Sequence, residues 1–145
     1  MTRINEQSIE EFAIELFEKL GYEYLYAPDI APDGNAPERE SYSQVLLLGR
    51  LRKAINRIND HLPHDIQEYA IKEVQRIASL DLVANNKAFH KYLTEGVPVS
   101  KNVGGYERGD RLWLIDFEHP ENNDFLVANQ FTVVENNNNK RPDVI

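Results

Sequence analysis

The apolar pattern of this chain predicts an α+β fold, with N-terminal helices packed on an incomplete, mainly antiparallel β-sheet. Through the first 96 residues apolar side chains recur at helical spacing, whereas from Val97 onward they alternate or cluster in short runs between turn-forming residues. Length agrees: 145 residues with 41% hydrophobic content can bury one sizeable core, so the expectation is one domain or part of one. The expected division is a helical half over residues 1–96 and the start of a sheet over 97–145.

The first helix is predicted from Ile9, Phe12, Ala13, Leu16, Phe17 and Leu20, which form one stripe and end at Gly21. On the helical wheel Glu11, Glu15 and Glu18 fall on the solvated side, whereas Glu10 lies at the border of the apolar arc and Glu6 inside it. First-turn carboxylates favoured by the helix dipole are the plain explanation of the last two. "YEYLY" then reads as a short strand, followed by an excursion loop broken by prolines and a glycine. A second helix is expected from Tyr42 or Ser43 towards Asp60, burying Leu48, Leu51, Ile55 and Ile58. Arg50, Lys53 and Arg57 gather roughly 140° away, a basic stripe that could meet phosphates or simply face water.

A third helix is predicted over "LPHDIQEYAIKEVQRI", and a short fourth one over Asn86–Leu93, closed by Gly96. Strand candidates follow at Arg111–Phe117, in "NDFLVANQFTVVE" and in "RPDVI", with "EHPENN" and "NNNNK" as turns between them. Asp116 and Glu118 would share a strand face, and turn-proximal acidic residues explain them without chemistry. The amides of "NNDFLVANQF" could bond to backbone at the strand junction or contact DNA, and the structural role is favoured. His61, His64, His90 and His119 share no metal-ligand spacing and are read as surface or capping residues.

Composition removes several function classes. With no cysteine, disulfides, thiolate-bound zinc and iron–sulfur clusters are excluded. No apolar run approaches a membrane span and no signal-peptide pattern opens the chain, so a cytoplasmic protein without membrane contact is expected. Sixteen Lys+Arg against 24 Asp+Glu give a net charge of −8, which argues against non-specific coating of nucleic acid. A Mg²⁺-dependent nuclease, which needs carboxylates, can still be acidic overall and basic along one face.

Five blocks, "IEEFAIELFEKLGYEY", "GRLRKAINRIN", "NNKAFHKYLTEGVPV", "LWLIDFEHPENNDFLVANQFTV" and "KRPDVI", together resemble the N-terminal region of the restriction (R) subunits of type I restriction–modification enzymes. The match runs in order across nearly the whole chain, and "IDFEHPENNDFLVANQF" followed shortly by "RPD" is its specific part. The resemblance implies a PD-(D/E)xK nuclease, in which an Asp and a Glu on adjacent strands bind Mg²⁺ and a Lys helps to activate the attacking water. Asp143, preceded by Pro142, matches the first motif residue and is the implied metal ligand; the Glu-x-Lys partners are not in this chain, which is expected to be a fragment cut inside the motif. A helix glutamate completes related sites, and Glu10 matches best, with Glu6 next. The resemblance also implies cleavage of unmodified foreign DNA, an ATP-binding motor elsewhere in the parent protein, and docking on methyltransferase and specificity subunits. The fragment alone is expected to be inactive. The alternative is a non-catalytic docking or regulatory module with a degenerate nuclease site.

Overall fold

The computed structural model describes residues 5–77 and 82–145. In chain order the elements are α1 (Glu6–Lys19), β1 (Glu23–Tyr26), a 3-10 turn (Ala27–Ile30), α2 (Leu48–Ile58), α3 (His64–Ile77), α4 (Leu82–Glu95), β2 (Val97–Val103), β3 (Tyr106–Leu112), a second 3-10 turn (Pro120–Asn122), β4 (Leu126–Asn129), β5 (Val133–Glu135) and β6 (Asn138–Lys140). The mixed helix and strand content is that of an α+β protein. The contacts group into two compact units, Met1–Leu47 with Asp124–Ile145, and Leu48–Asn123.

In the first unit β1 and β4 pair in parallel, Tyr24 beside Val127 and Tyr26 beside Asn129. An antiparallel arrangement was expected; strands so far apart in sequence are free of the hairpin constraint, and a long crossover permits the parallel pair. Ala27, Ile30, Ala128 and Phe131 form the core beside them, with Leu25, Leu47 and Val133 packed against it. Asn5 caps α1 by accepting the Ser8 N–H at 2.8 Å, and Gly21, with φ 97°, ends it in the left-handed region that favours glycine. The docked face of α1 is not the predicted stripe. Ile14 is buried and Glu10, Ala13 and Phe17 are half-buried, whereas Ile9, Phe12, Leu16 and Leu20 are 59%, 66%, 49% and 68% exposed. Two strands about 4.8 Å apart cover only part of a wide apolar arc, and the edge-on contact of Phe17 with Tyr22 and the tilted contact of Tyr22 with Phe125 select which part.

The asparagine run is half turn and half strand. Asn136 and Asn137, at φ 49° and 61°, make the hairpin turn, while Asn138 and Asn139 pair in β6 with β5. Arg39 fastens the excursion loop: only 3% exposed, it donates to the carbonyls of Gln44 (3.0 Å) and Thr132 (2.9 Å), with its guanidinium 4.0 Å above the Phe131 ring. Burial holds its pKa below the usual guanidinium value. By engaging the Gln44 carbonyl it also takes an acceptor from the helix expected at Tyr42, and α2 starts instead at Leu48.

In the second unit α2, α3 and α4 accompany the antiparallel hairpin β2–β3, whose turn is Gly104–Gly105 at φ 60° and 88°. Ile55, Ala70, Ile71, Val74, Val97 and Leu112 are each at most 1% exposed and form its core. The strand expected at Arg111–Phe117 ends at Leu112, because a side chain replaces the next strand partner. Asn59, fully buried, accepts the Trp113 N–H at 2.7 Å and donates to the Trp113 carbonyl at 2.8 Å. The chain therefore carries three two-stranded sheets among the described residues, one of them parallel, rather than one antiparallel sheet. No helix among the described residues is long and apolar enough to cross a membrane.

Candidate active site

Glu10 lies on the docked face of α1, one helical turn after Glu6. Asn129, at the end of β4, donates its side-chain N–H to Glu10 Oε1 at 2.7 Å, and Gln130 donates to Oε1 and Oε2 at 3.2 and 3.1 Å. Tyr24 on β1 donates its hydroxyl to Asn129 Oδ1 at 2.8 Å, fixing that amide from behind. Burial raises the Tyr24 pKa and the nearby Glu10 charge pushes it the same way, so the hydroxyl stays protonated as a donor. The two side chains that donate to Glu10 are neutral amides, which bring no positive charge to it.

Gln130 also reaches the backbone beside the other acid singled out in the sequence, Asp143. It has φ 57°, a conformation that costs a non-glycine residue about 1 kcal/mol or more. This turn breaks the strand expected through "NDFLVANQFTVVE" into β4 and β5. While its side chain turns to Glu10, its backbone N–H donates to the Asp143 carbonyl at 3.1 Å. The segment around Asp143 lies antiparallel against β4, with Asn129 bridged to Val144 and Ala128 and Ile145 exchanging two backbone bonds at 2.9 and 2.8 Å. The Asp143 side chain is exposed. Glu6, on the first turn of α1, is also exposed.

Beside α1 opens an acidic cleft of about 370 Å³ whose lining includes Glu10, Glu11, Glu15, Glu18, Tyr24 and Asn129. Phosphate would be repelled there unless a cation compensates. Carboxylate oxygens are the donors Mg²⁺ prefers, and one or two suffice because the ion keeps several waters, so Asp143 and Glu10 fit it in kind. No group of three or more His, Asp or Glu arranged around a metal position occurs among the described residues.

The remaining sequence candidates lie in the second unit. On α2, Lys53 and Arg57 are exposed and Arg50 is half-buried; Ile55 is buried, and Leu51 and Ile58 are half-buried rather than fully covered. Arg57 spends a donor on the Asn122 carbonyl at 2.7 Å. Asp116 is a loop cap and not half of a strand pair: its carboxylate accepts from the N–H groups of Glu118 and His119 at 3.1 and 2.9 Å and from the Asn122 amide at 2.9 Å. The Asn122 bond, with the backbone donors, holds its pKa below the usual carboxylate range.

Tyr24, Asn129 and Gln130 were not among the predicted site residues. The available signal was a pair of amides following the apolar run Leu126–Ala128, where a purely apolar strand would bury no polar atoms.

An α+β domain with carboxylates and amides gathered at the end of a parallel strand pair is the class these features define. The chain belongs to the family described as the type I restriction enzyme R protein N terminus, whose model matches residues 3–145. It is 32% identical over 143 residues to the type I restriction enzyme HindI endonuclease subunit of Haemophilus influenzae, covering 98% of this chain and 14% of that protein. It is 36% identical over 147 residues to a Methanocaldococcus jannaschii protein provisionally named as the type I restriction enzyme MjaIXP endonuclease subunit, covering 99% of this chain and 14% of that protein. The chain thus spans about a seventh of the length of these curated relatives. No solved structure matches it.

Proposed function

We propose that this chain is the front of the nuclease domain of an R subunit whose parent enzyme cuts unmodified foreign DNA with Mg²⁺ and ATP. The observation that supports it most is the meeting of Glu10 and Asp143 at one residue, Gln130, from opposite ends of the sequence. In this account Asp143 is the metal ligand, and Glu10, held by Asn129 and Gln130, is the helix carboxylate of the site; Glu6 is the weaker candidate because no side-chain donor among the described residues is directed to it in the same way. Bound Mg²⁺ would supply charge stabilisation at the phosphate and a more acidic water. Asn129 and Gln130 orient the Glu10 carboxylate, and the Gln130 backbone N–H ties the Asp143 segment beside it. ATP would be bound by a motor outside these residues, since no Gly-rich Lys-Ser/Thr phosphate motif occurs in them. Methyltransferase and specificity subunits are the proposed protein partners, and DNA the substrate.

The 145 residues alone are proposed to be inactive, because no Glu-x-Lys tripeptide follows Asp143 within them. Purified chain incubated with plasmid and Mg²⁺ should leave it supercoiled. In the longer R subunit, Glu10→Gln should abolish cleavage while Glu6→Gln reduces it little; equal losses would remove the distinction between the two glutamates.

A second function, docking with a degenerate site, is favoured by one feature: the exposed row Ile9, Phe12, Leu16 and Leu20 on α1. An intact Glu-x-Lys after Asp143 in the longer protein, with cleavage lost in Glu10→Gln, would decide against it.

A further inference from the structure

Gln130 is bonded both to the Glu10 carboxylate and to the Asp143 backbone carbonyl, and its conformation is unusual for its residue type. We propose that Gln130 is a positioning residue of the nuclease site: its left-handed turn sets the geometry of Glu10 relative to the Asp143 segment. This rests on the catalytic reading of Glu10 and Asp143 given above.

Three observations carry the inference. The side-chain amide spans both Glu10 oxygens, at 3.2 and 3.1 Å, and so fixes the rotation of the carboxylate as well as its position. The backbone N–H of the same residue donates to the Asp143 carbonyl at 3.1 Å, so the turn that aims the side chain also registers the Asp143 segment. An extended residue continuing β4 would alternate sides, whereas φ 57° turns the chain out of that alternation. Strain of this kind persists only where neighbours impose it, and it gathers at functional sites. Here the imposing neighbours are Asn129, bridged to Val144, on one side, and on the other Phe131 under the Arg39 guanidinium, with the Thr132 carbonyl held by the same arginine. Arg39 Nε is buried without a hydrogen-bond partner among the described residues, so that arginine is held by packing and its two carbonyl bonds.

The test uses the longer R subunit with Gln130→Gly and Gln130→Ala. Glycine removes the amide and relaxes the left-handed turn; alanine removes the amide and keeps the strain. Three quantities would be measured: Mn²⁺ affinity by calorimetry without DNA, the Mg²⁺ concentration for half-maximal cleavage, and Tm. Both variants should weaken Mn²⁺ binding and raise the Mg²⁺ requirement about 10-fold or more, the usual cost of losing a residue that orients a ligand. Only the alanine variant should lose Tm appreciably. Mn²⁺ affinity unchanged in Gln130→Gly, with Glu10→Gln inactive, would overturn the positioning role alone. Glu10→Gln that cleaves like wild type would instead overturn the catalytic reading and this inference with it.

Discussion

Asn59 closes the second unit by acting as a strand partner for Trp113, and it also donates to the Ile55 carbonyl at 2.9 Å while its own carbonyl accepts from Gln67 at 3.1 Å. Removing the amide leaves two backbone groups of Trp113 without their partner in a partly buried place. Asn59→Ala should therefore cost on the order of 3 kcal/mol in denaturant unfolding, and a loss under about 0.5 kcal/mol would contradict the role. Asp116 gives a pH-dependent counterpart. Its folded pKa lies below its ordinary 3.8, so its contribution is fully present above the unfolded pKa and fades as pH falls through the folded one. Asp116→Asn should lower Tm at neutral pH, with the gap to wild type closing below about pH 4; a gap independent of pH would assign the loss to shape rather than charge. At this scale the sequence was readable in part. Glu10 stood out by its place on the wheel and Asp143 by resemblance, but the amide ties to Glu10 come from residues more than a hundred positions away, and no local pattern encodes them.

Helix positions were legible because apolar periodicity and caps are local: α1, α3 and α4 lie where spacing and Gly21 and Gly96 put them. Which face of α1 docks was not legible, since that depends on what covers it. The ends of β3 and β4 were missed for a related reason, one being set by the Asn59 side chain and the other by the Gln130 turn. The excursion loop carries a sharper test. A Cβ at Gly34 would lie 2.3 Å from the Asp29 carbonyl oxygen, closer than any real contact, so Gly34→Ala must displace backbone. It should destabilise the first unit by about 1–3 kcal/mol, read as a drop in Tm, and an unchanged Tm would mean the loop is not fixed as described. On α2 the stripe keeps Lys53 exposed while Arg57 is engaged with Asn122. Charge reversal at Arg50 and Lys53 in the longer protein should weaken DNA binding and flatten its salt dependence; unchanged affinity would make the stripe an ordinary solvated face.

For the whole molecule, the proposed nuclease site, built from α1, β4 and the Asp143 segment, rests on membership of the R-subunit N-terminal family and on the cluster around Gln130. The acidic net charge of −8 is compatible with this, because a cation-dependent site draws on carboxylates and the charge sum says nothing of their arrangement. The most direct measurement is plasmid cleavage by the longer R subunit, assembled with its partner subunits, ATP and Mg²⁺, comparing wild type with Asp143→Ala and following ATP hydrolysis in the same reactions. Cutting should be abolished while ATP hydrolysis continues at close to the wild-type rate. Cleavage by Asp143→Ala at the wild-type rate would contradict the assignment of Asp143, and with it the catalytic account of this chain.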